Sequence, residues 1–479
     1  MKLSEKLAVN KKRLKDRLEN SDVVFSDITI GRKKALLLYI DALTDPDRIG
    51  DLVLRPLLNI KPLPPPTKLI EKMPEPNISL VVDTDDVIEK VIDGQAVVLF
   101  DKAVSGLSFD VKKYDFRAIA EPPTSAVIKG PREGFTESIK ANASLLRRRL
   151  KTDRLTVLKF KVGRLTKTDV FVVYLDGIAD DKVVSKLKRR IENIDIDGVM
   201  DSSYITKFID EHKTSLFKQT GNTEKPDIFV AKILEGRVGV LVDGSPIALT
   251  VPYLMFEDFQ SAEDYFQNVY RSNMERIVRL ISIFLAIFLP SVFVSAQLFH
   301  LQIIPLNFLL TIVNSIKGIP LSPSLEMFFT LLIFEILNEA SIRMPKYVGM
   351  ALSIVGALVL GDTAVRAGIV STPTIMIMAL SGICLYTVPE LVDSMSFLRL
   401  LFLIVAGSIG GFGILILCCC LLIYLTSLEN FDTPFLSPFS PFVKGDLKDS
   451  AFMTFLPDMT TRPETLKPKN KKRMKTVNE

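Results

Sequence analysis

The chain has 479 residues, a formal charge of +5, no Trp and only two His, His212 and His300, which leaves a His-rich metal centre or a Ser/His triad almost no material. Its four Cys, Cys384 and the run Cys418, Cys419 and Cys420, lie in apolar stretches where a disulfide framework has no place. Charge is spread up to about Asn273, whereas Leu280 to Ile316 and Leu400 to Leu428 hold no Asp, Glu, Lys or Arg, so the composition describes a soluble part joined to a membrane part.

In chain order, residues 1–26 are charged throughout and lack the apolar core of a signal peptide, which predicts a charged N-terminal helix and a first domain kept in the cytoplasm. Two later segments resemble each other, ALLLYIDALTDPDRIGDLVLRPLLNI from Ala35 and VFVVYLDGIADDKVVSKLKRRIENI from Val170. Each predicts a strand, a turn at Asp41-Ala42 or Asp176-Gly177, and a helix. A second likeness follows, VIDGQAVVLFD from Val91 against ILEGRVGVLVD from Ile233, with Gly94 and Gly236 where a tight turn would join two strands. The order strand, helix, hairpin occurring twice predicts two similar α/β subdomains, residues 27–125 and 153–273. KPLPPPTK from Lys61 would be a stiff surface loop in the first. Paired acids such as Asp85-Asp86 and Asp180-Asp181 suit turns and helix starts rather than catalysis, because neighbouring side chains diverge.

Residues 126–152 join the subdomains and contain GPREGFTESIKANASLLRRRL from Gly130. A Gly-rich loop entering a helix offers free N–H groups to an anion, but Gly130, Pro131, Arg132, Glu133, Gly134 and Phe135 match neither a P-loop nor a dinucleotide loop. The plainer reading is a connector. Its glycines and Pro131 set the turn, Thr136 or Ser138 caps the helix, and Arg147, Arg148 and Arg149 form a solvated or interfacial basic end. No basic patch interleaved with aromatics is present, so no nucleic-acid partner is expected.

Residues 274–428 predict a membrane domain of four to six helices. Leu280–Leu298 is a span that Pro290 kinks or turns toward protein. Leu301–Ile316, broken by Gln302, Pro305 and Asn307, reads as re-entrant or interfacial. Ser324–Ile342, the short Tyr347–Gly361, Ala367–Pro389 and Leu400–Leu428 follow; in the last, Gly407, Gly410, Gly411 and Gly413 would let another helix approach. The tail, 429–479, contains the basic LKPKNKKRMK, which favours the cytoplasmic side. With both ends there, the crossings are even in number. The fold class is thus an α+β cytoplasmic region followed by an α-helical polytopic membrane domain.

Ser324–Ile342 carries three carboxylates, which are costly in lipid. Glu335 and Glu339 are four apart and share a face with Asn338, while Glu326 points about half a turn away and suits a helix start. Arg343, four residues past Glu339, predicts local pairing for that acid. Glu335 has no base three or four positions away. The competing reading is a polar stripe on a water-filled path, which requires a ring of copies.

GPREGFTESIKANASLLRRRL, the stretch KPDIFVAKILEGRVGVLVDGSPIALTVPYLMFEDFQSAEDYF from Lys225, FEILNEASIRMP, and the tail's SPFSPFVKGDLKDS with Thr461-Arg462-Pro463 together resemble the A subunits of the GerA family of spore germination receptors. The resemblance covers nearly the whole chain. It implies a multi-pass protein of the inner membrane of a bacterial endospore, with the N-terminal region and tail facing the spore core. It implies as partners a transporter-like B subunit, a lipoprotein C subunit and membrane lipid, with no cofactor and no metal. It further implies a ring of copies, a pentamer in the family's proposed mechanism, forming a nutrient-gated channel for monovalent cations. The ring would bring Glu335, Asn338 and Glu339 to a pore or its gate, with Arg343 as a structural partner. On the same ground Asp243, Gly244 and Pro246 join the connector residues as an interdomain or oligomer signature, and Asp446, Asp449, Arg462 and Pro463 mark the tail. The chain departs from the family pattern at Ala126, where a second acid is frequent, at Lys225, where Arg is usual, and in AFMTFLP, which lacks a basic residue.

The stage V sporulation protein AF is built on the same plan, so the resemblance leaves an accessory germination channel as an alternative. From the residues alone, a membrane-anchored scaffold clustering receptors competes, since more than half the chain is soluble and holds no catalytic constellation. An enzyme lacks a nucleophile beside a His, and a secondary transporter lacks a repeat of broken helices.

Overall fold

The computed structural model describes residues 1–474 apart from 19–21, 32, 61, 74–76, 113–128 and 344–360. Ala126 and nearly all of the expected span Tyr347–Gly361 lie outside the described residues. Five strands, β1 (Val23–Ile30), β2 (Lys33–Ile40), β3 (Ile78–Val81), β4 (Ala96–Phe100) and β5 (Gly106–Phe109), form an antiparallel sheet in the order β1-β2-β4-β5-β3. Five more, β6 (Leu155–Val162), β7 (Thr168–Leu175), β8 (Gly221–Thr223), β9 (Val238–Val242) and β10 (Ala248–Val251), repeat the topology as β6-β7-β9-β10-β8.

Both faces of each sheet are covered, which is why ALLLYI and VFVVYL read as unbroken apolar runs instead of alternating. Leu36, Leu38 and Ile40 pack with α1 (Leu7–Leu18) and α2 (Thr84–Ile92), and Ala35 and Leu37 with the helical stretch 46–59. In the second sheet α3 (Ile139–Arg149) and the later α6 (Pro226–Glu235) cover one face, while α4 (Asp181–Glu192) and α5 (Ser202–Ile209) cover the other. Each half therefore begins with a helix. The helix expected within the connector is the first element of the second unit, the counterpart of α1.

Single hydrogen bonds repeat as well. Asn10 accepts from Ser4 N at 2.8 Å and donates to Ser4 O at 2.6 Å; Asn142 does the same with Thr136 at 2.8 and 2.6 Å. Asp101 Oδ1 accepts the first N–H of α1, Leu7 N, at 3.3 Å, and Asp243 Oδ1 accepts that of α3, Ile139 N, at 3.1 Å. The residue after each Asp, Lys102 or Gly244, has a positive φ and donates its N–H to Glu5 O or Glu137 O, both at 2.8 Å.

Three sequence expectations need correction here. Gly94 and Gly236 follow helices rather than strands: they take φ of +85° and +110° at the ends of α2 and α6. Val87, Ile88, Val91 and Ile92 are buried at helical spacing up to that turn, so Val91-Ile92-Asp93 closes a helix. The bounds 26/27 and 273/274 fall inside elements, since β1 starts at Val23 and the first membrane helix at Val269. Leu400–Leu428 is not one helix, as the helices below show.

The second half contains α7 (Val269–Phe299), α8 (Leu306–Ile316), α9 (Pro323–Arg343), α10 (Thr372–Leu385), α11 (Val392–Ile409) and α12 (Gly411–Ser427). Among the described residues two helices are long and apolar enough to cross a membrane, Val269–Phe299 and Pro389–Ile409. Pro290 is buried inside α7. At 14 residues α10 is about 21 Å long, short of a hydrocarbon core of about 30 Å, so Ala367–Pro389 is not the full-length helix expected. Gly410, at φ +74°, separates α11 from α12, and a Cβ on it would stand 2.8 Å from the Phe299 ring. Gly407 does admit a neighbour as expected, since its Cβ would meet Ser324 of α9 at 2.8 Å.

Candidate functional site

The face of α9 predicted to carry function is built against three other helices. Arg399, on α11, is fully buried, and its Nη2 stands 2.5 Å from Glu335 Oε1. Its Nη1 donates to Ser381 Oγ of α10 at 3.2 Å, Ser381 Oγ donates to Ala286 O of α7 at 2.7 Å, and the guanidinium lies 5.6 Å from the Phe334 ring centroid. One arginine thus ties α7, α9, α10 and α11 together. Gly382 makes the room, because a Cβ there would lie 2.4 Å from the Phe334 ring. The pair also answers the question of Glu335, whose base comes from another helix instead of its own. Sequence reasoning missed Arg399 because absence of charge set the start of the span at Leu400, directly after it, whereas the helix begins at Val392 and runs straight through it.

Glu335 keeps 35 % of its side chain exposed. Asn338 meets the Tyr386 hydroxyl. Glu339 pairs with Arg343 at 2.5 Å, as the spacing predicted, and both are well exposed. Glu326 does more than start a helix: it is buried, and its Oε1 accepts from Ser371 N and Ser371 Oγ, both at 2.7 Å, at the start of α10.

The connector signature is a structural joint. Ser138 caps α3, and the N-terminus that could have held an anion is taken by Asp243. Arg147 is not a solvated end: it is buried, paired with Asp22, and donates to Thr152 O at 3.2 Å and Leu155 O at 3.0 Å. Arg148 and Arg149 reach Glu133 at 3.0 and 2.7 Å. Burial alone would raise the Glu133 carboxyl, but the bond from Arg149 and the charge of Arg148 outweigh it and hold it below the usual range. Phe135 stacks edge-on against Phe229 with centroids 5.7 Å apart, and Gly130 lies against Phe266. Arg132 is exposed, and Pro131 and Pro246 are partly buried in their turns.

The tail signature closes the junction between the two halves. Asp446 accepts from Glu464 N and Thr465 N at 2.7 and 2.8 Å, beside Pro463, and Arg462 Nε donates to Leu234 O at 2.7 Å. Asp449 pairs with Arg276 of α7 at 3.0 Å, and Arg276 and Arg279 both bind buried Asp264 at 2.9 Å. Beside this junction is a cavity of about 790 Å³ between α6, the segment 253–266, the start of α11 and the tail. Its wall joins Lys218 to Asp258 at 2.8 Å and to Glu390 at 2.6 Å, and Lys232 to Glu257 at 2.8 Å. Burial pushes the Glu235 carboxyl up. Among the described residues no group of three or more His, Cys, Asp or Glu is placed to hold a metal ion.

The family model described as Bacillus/Clostridium GerA spore germination protein matches residues 10–465. The chain belongs to the GerA family. It is 36 % identical to the membrane protein YfkQ of Bacillus subtilis strain 168 over 94 % of this chain and 91 % of that one. To spore germination protein KA of the same organism it is 34 % identical over 95 % and 85 %, and to stage V sporulation protein AF 32 % identical over 90 % and 84 %. It also matches the crystal structure of the N-terminal domain of the A subunit of the Bacillus megaterium spore germinant receptor GerK3, at 30 % identity and a TM-score of 0.42, covering 53 % of this chain and 98 % of that one. Membership places the chain in a family of spore germination proteins, and the match runs through both its charged half and its apolar helices.

Proposed function

We propose that this chain is the A-type subunit of a nutrient-responsive germination receptor, a multi-pass protein of the inner spore membrane whose copies assemble, near five to a ring, into a channel for monovalent cations. A transporter-like B subunit and a lipoprotein C subunit complete the receptor, and the soluble region and tail face the spore core. The observation that carries the reading is the face of α9. Glu335, Asn338 and Glu339 stay at least partly open on a largely apolar helix, although the bundle around them has packed. Carboxylates in that position need water or other copies beside them.

The division of labour follows from the pairs. Glu335, held by a buried arginine, supports the face, and Glu339 with Asn338 lines the path. Glu339→Gln should therefore lower cation release during germination with protein level and assembly intact, while Arg343→Gln, which frees Glu339, should not lower it. Unchanged release and germination in Glu339→Gln and Asn338→Leu spores would remove the pore assignment. The 32 % identity to stage V sporulation protein AF supports a second reading, an accessory channel that amplifies germination. Deleting a receptor subunit abolishes the response to its own nutrients, whereas deleting an amplifier slows the response to all of them.

A further inference from the structure

We propose that the cavity beside the junction is the core-side vestibule of the cation path, a water-filled space whose charge gathers monovalent cations. This rests on the channel reading above. Among the described residues, eight carboxylates and four bases line the cavity. Several answer one another: Lys218 pairs with Asp258 and Glu390, and Lys232 and Arg237 pair with Glu257. Glu224 and Asp393 are in no ion pair among the described residues, and Asp227 has only Lys225, 3.8 Å away. The wall therefore carries an excess of acid that the protein does not neutralise.

Polar atoms buried in this wall also lack partners. Glu224 Oε2 and Asp227 Oδ1 accept no hydrogen bond. Arg237, whose side chain is only 4 % exposed, holds its Nε 3.5 Å from Glu235 without a hydrogen bond. Such groups are costly to bury unless water or an ion reaches them. The excess of acid repels an anion, and an apolar ligand would leave the carboxylates unpaired. Nor do the oxygens converge as a divalent cation requires, since among the described residues no three acids are placed to hold a metal ion. A small cation that keeps its water fits what remains. At about 30 Å³ per water, a volume of about 790 Å³ takes an ion with its hydration shell. Protein-walled clefts lined by one sign of charge concentrate counter-ions in this way.

The cavity also lies where the path needs it. Pro389, Glu390 and Asp393, at and just before the start of α11, belong to its wall. Tyr386, three residues before Pro389, meets Asn338 of the α9 face. Arg399, six residues or about 9 Å along α11 from Asp393, holds Glu335. Much of the remaining wall comes from α6 and the segment 253–266, so the space joins the soluble region to the helix that supports the polar face.

The test uses the full chain in nanodiscs, with Cys384, Cys418, Cys419 and Cys420 replaced by Ala and Ala231→Cys added on the exposed side of α6 in the cavity wall. A cationic methanethiosulfonate should modify this thiol faster than an anionic one by about tenfold or more, relative to a free thiol in water. Glu224→Gln with Asp227→Asn and Asp393→Asn should lower that ratio several-fold, and should reduce cation current at low salt but not at 1 M, where the Debye length is about 3 Å. Asp393→Asn alone, at an exposed position, should move both readings in the same direction. A conducting wild type in which the ratio is that of a free thiol, or in which the triple variant carries an unchanged current at low salt, overturns the vestibule and leaves the channel standing. A wild-type assembly that passes no cations overturns both.

Discussion

Arg147 and Asp22 stand 125 residues apart in the chain, yet neither side chain is more than 4 % exposed. Removing one partner of such a pair leaves a buried charge uncompensated and costs roughly 3–5 kcal/mol, so Arg147→Ala should lower the midpoint of thermal unfolding markedly, and Arg147→Ala with Asp22→Ala by less than the sum of the single changes. Additive losses would mean that the two do not act as a pair. Glu133 supplies a test by pH. Its folded carboxyl titrates below the unfolded value of about 4.3, so its stabilisation is complete above that value and is lost as pH falls through the folded one. Glu133→Gln should therefore be less stable than wild type at pH 7, on the order of 1 kcal/mol, and the gap should close in acid; a gap that stays constant with pH would discount the Arg148 and Arg149 pairs. Glu335 and Arg399 belong to the same scale. Arg399→Met and Glu335→Gln should show a coupling of about 0.5–3 kcal/mol in a double-mutant cycle, read from thermal unfolding in detergent, and zero coupling would dissolve the four-helix tie.

Among the elements, β9 shows how packing decides a residue that the sequence leaves open. A Cβ on Gly239 would fall 2.0 Å from the fully buried Phe229 ring, which is also in edge-on contact with Phe135. Gly239→Val therefore cannot be absorbed by a flexible neighbour, and overpacking of this kind costs about 1–3 kcal/mol. Circular dichroism on heating should show the loss, which Phe229→Leu in the same chain should partly restore; a Gly239→Val protein as stable as wild type would mean that the ring moves freely. The repeat of elements was legible because ALLLYI and VFVVYL are apolar enough to be buried on both faces, and the Ser138 and Asp180 caps were legible from residue type. The ends of α2 and α6 were misread because a short apolar run before Gly fits a strand and a helix alike. A clearer sign of the repeat was present in Ser4-Glu5-x-Leu-x-x-Asn10 against Thr136-Glu137-x-Ile-x-x-Asn142, whose side chains form the same bonds.

At the scale of the whole molecule, division into a charged half and an apolar half was plain from composition, but how the halves hold together was not. The joint is made of Asp264, Arg276, Arg279 and Asp449, residues from three separate stretches whose meeting no local pattern announces. The same limit hid Arg399 from Glu335, 64 residues away. Asp264 and Arg276 are fully buried, Arg279 is 15 % exposed, and Arg276 also donates to Ser450 O at 2.9 Å, so one carboxylate bridges the two arginines at the head of α7 while one of them grips the tail. Asp264→Asn keeps the shape and removes the charge. It should leave both arginines short of a counter-ion, loosen the segment around Ser450 and Met453 from α7, and open it to protease while the sheets stay folded, because their cores share no residue with this joint. Limited proteolysis followed by mass spectrometry reads this directly. A variant cut no faster than wild type in residues 445–460 would mean that the aromatic contacts of the tail hold it in place without the ion pairs.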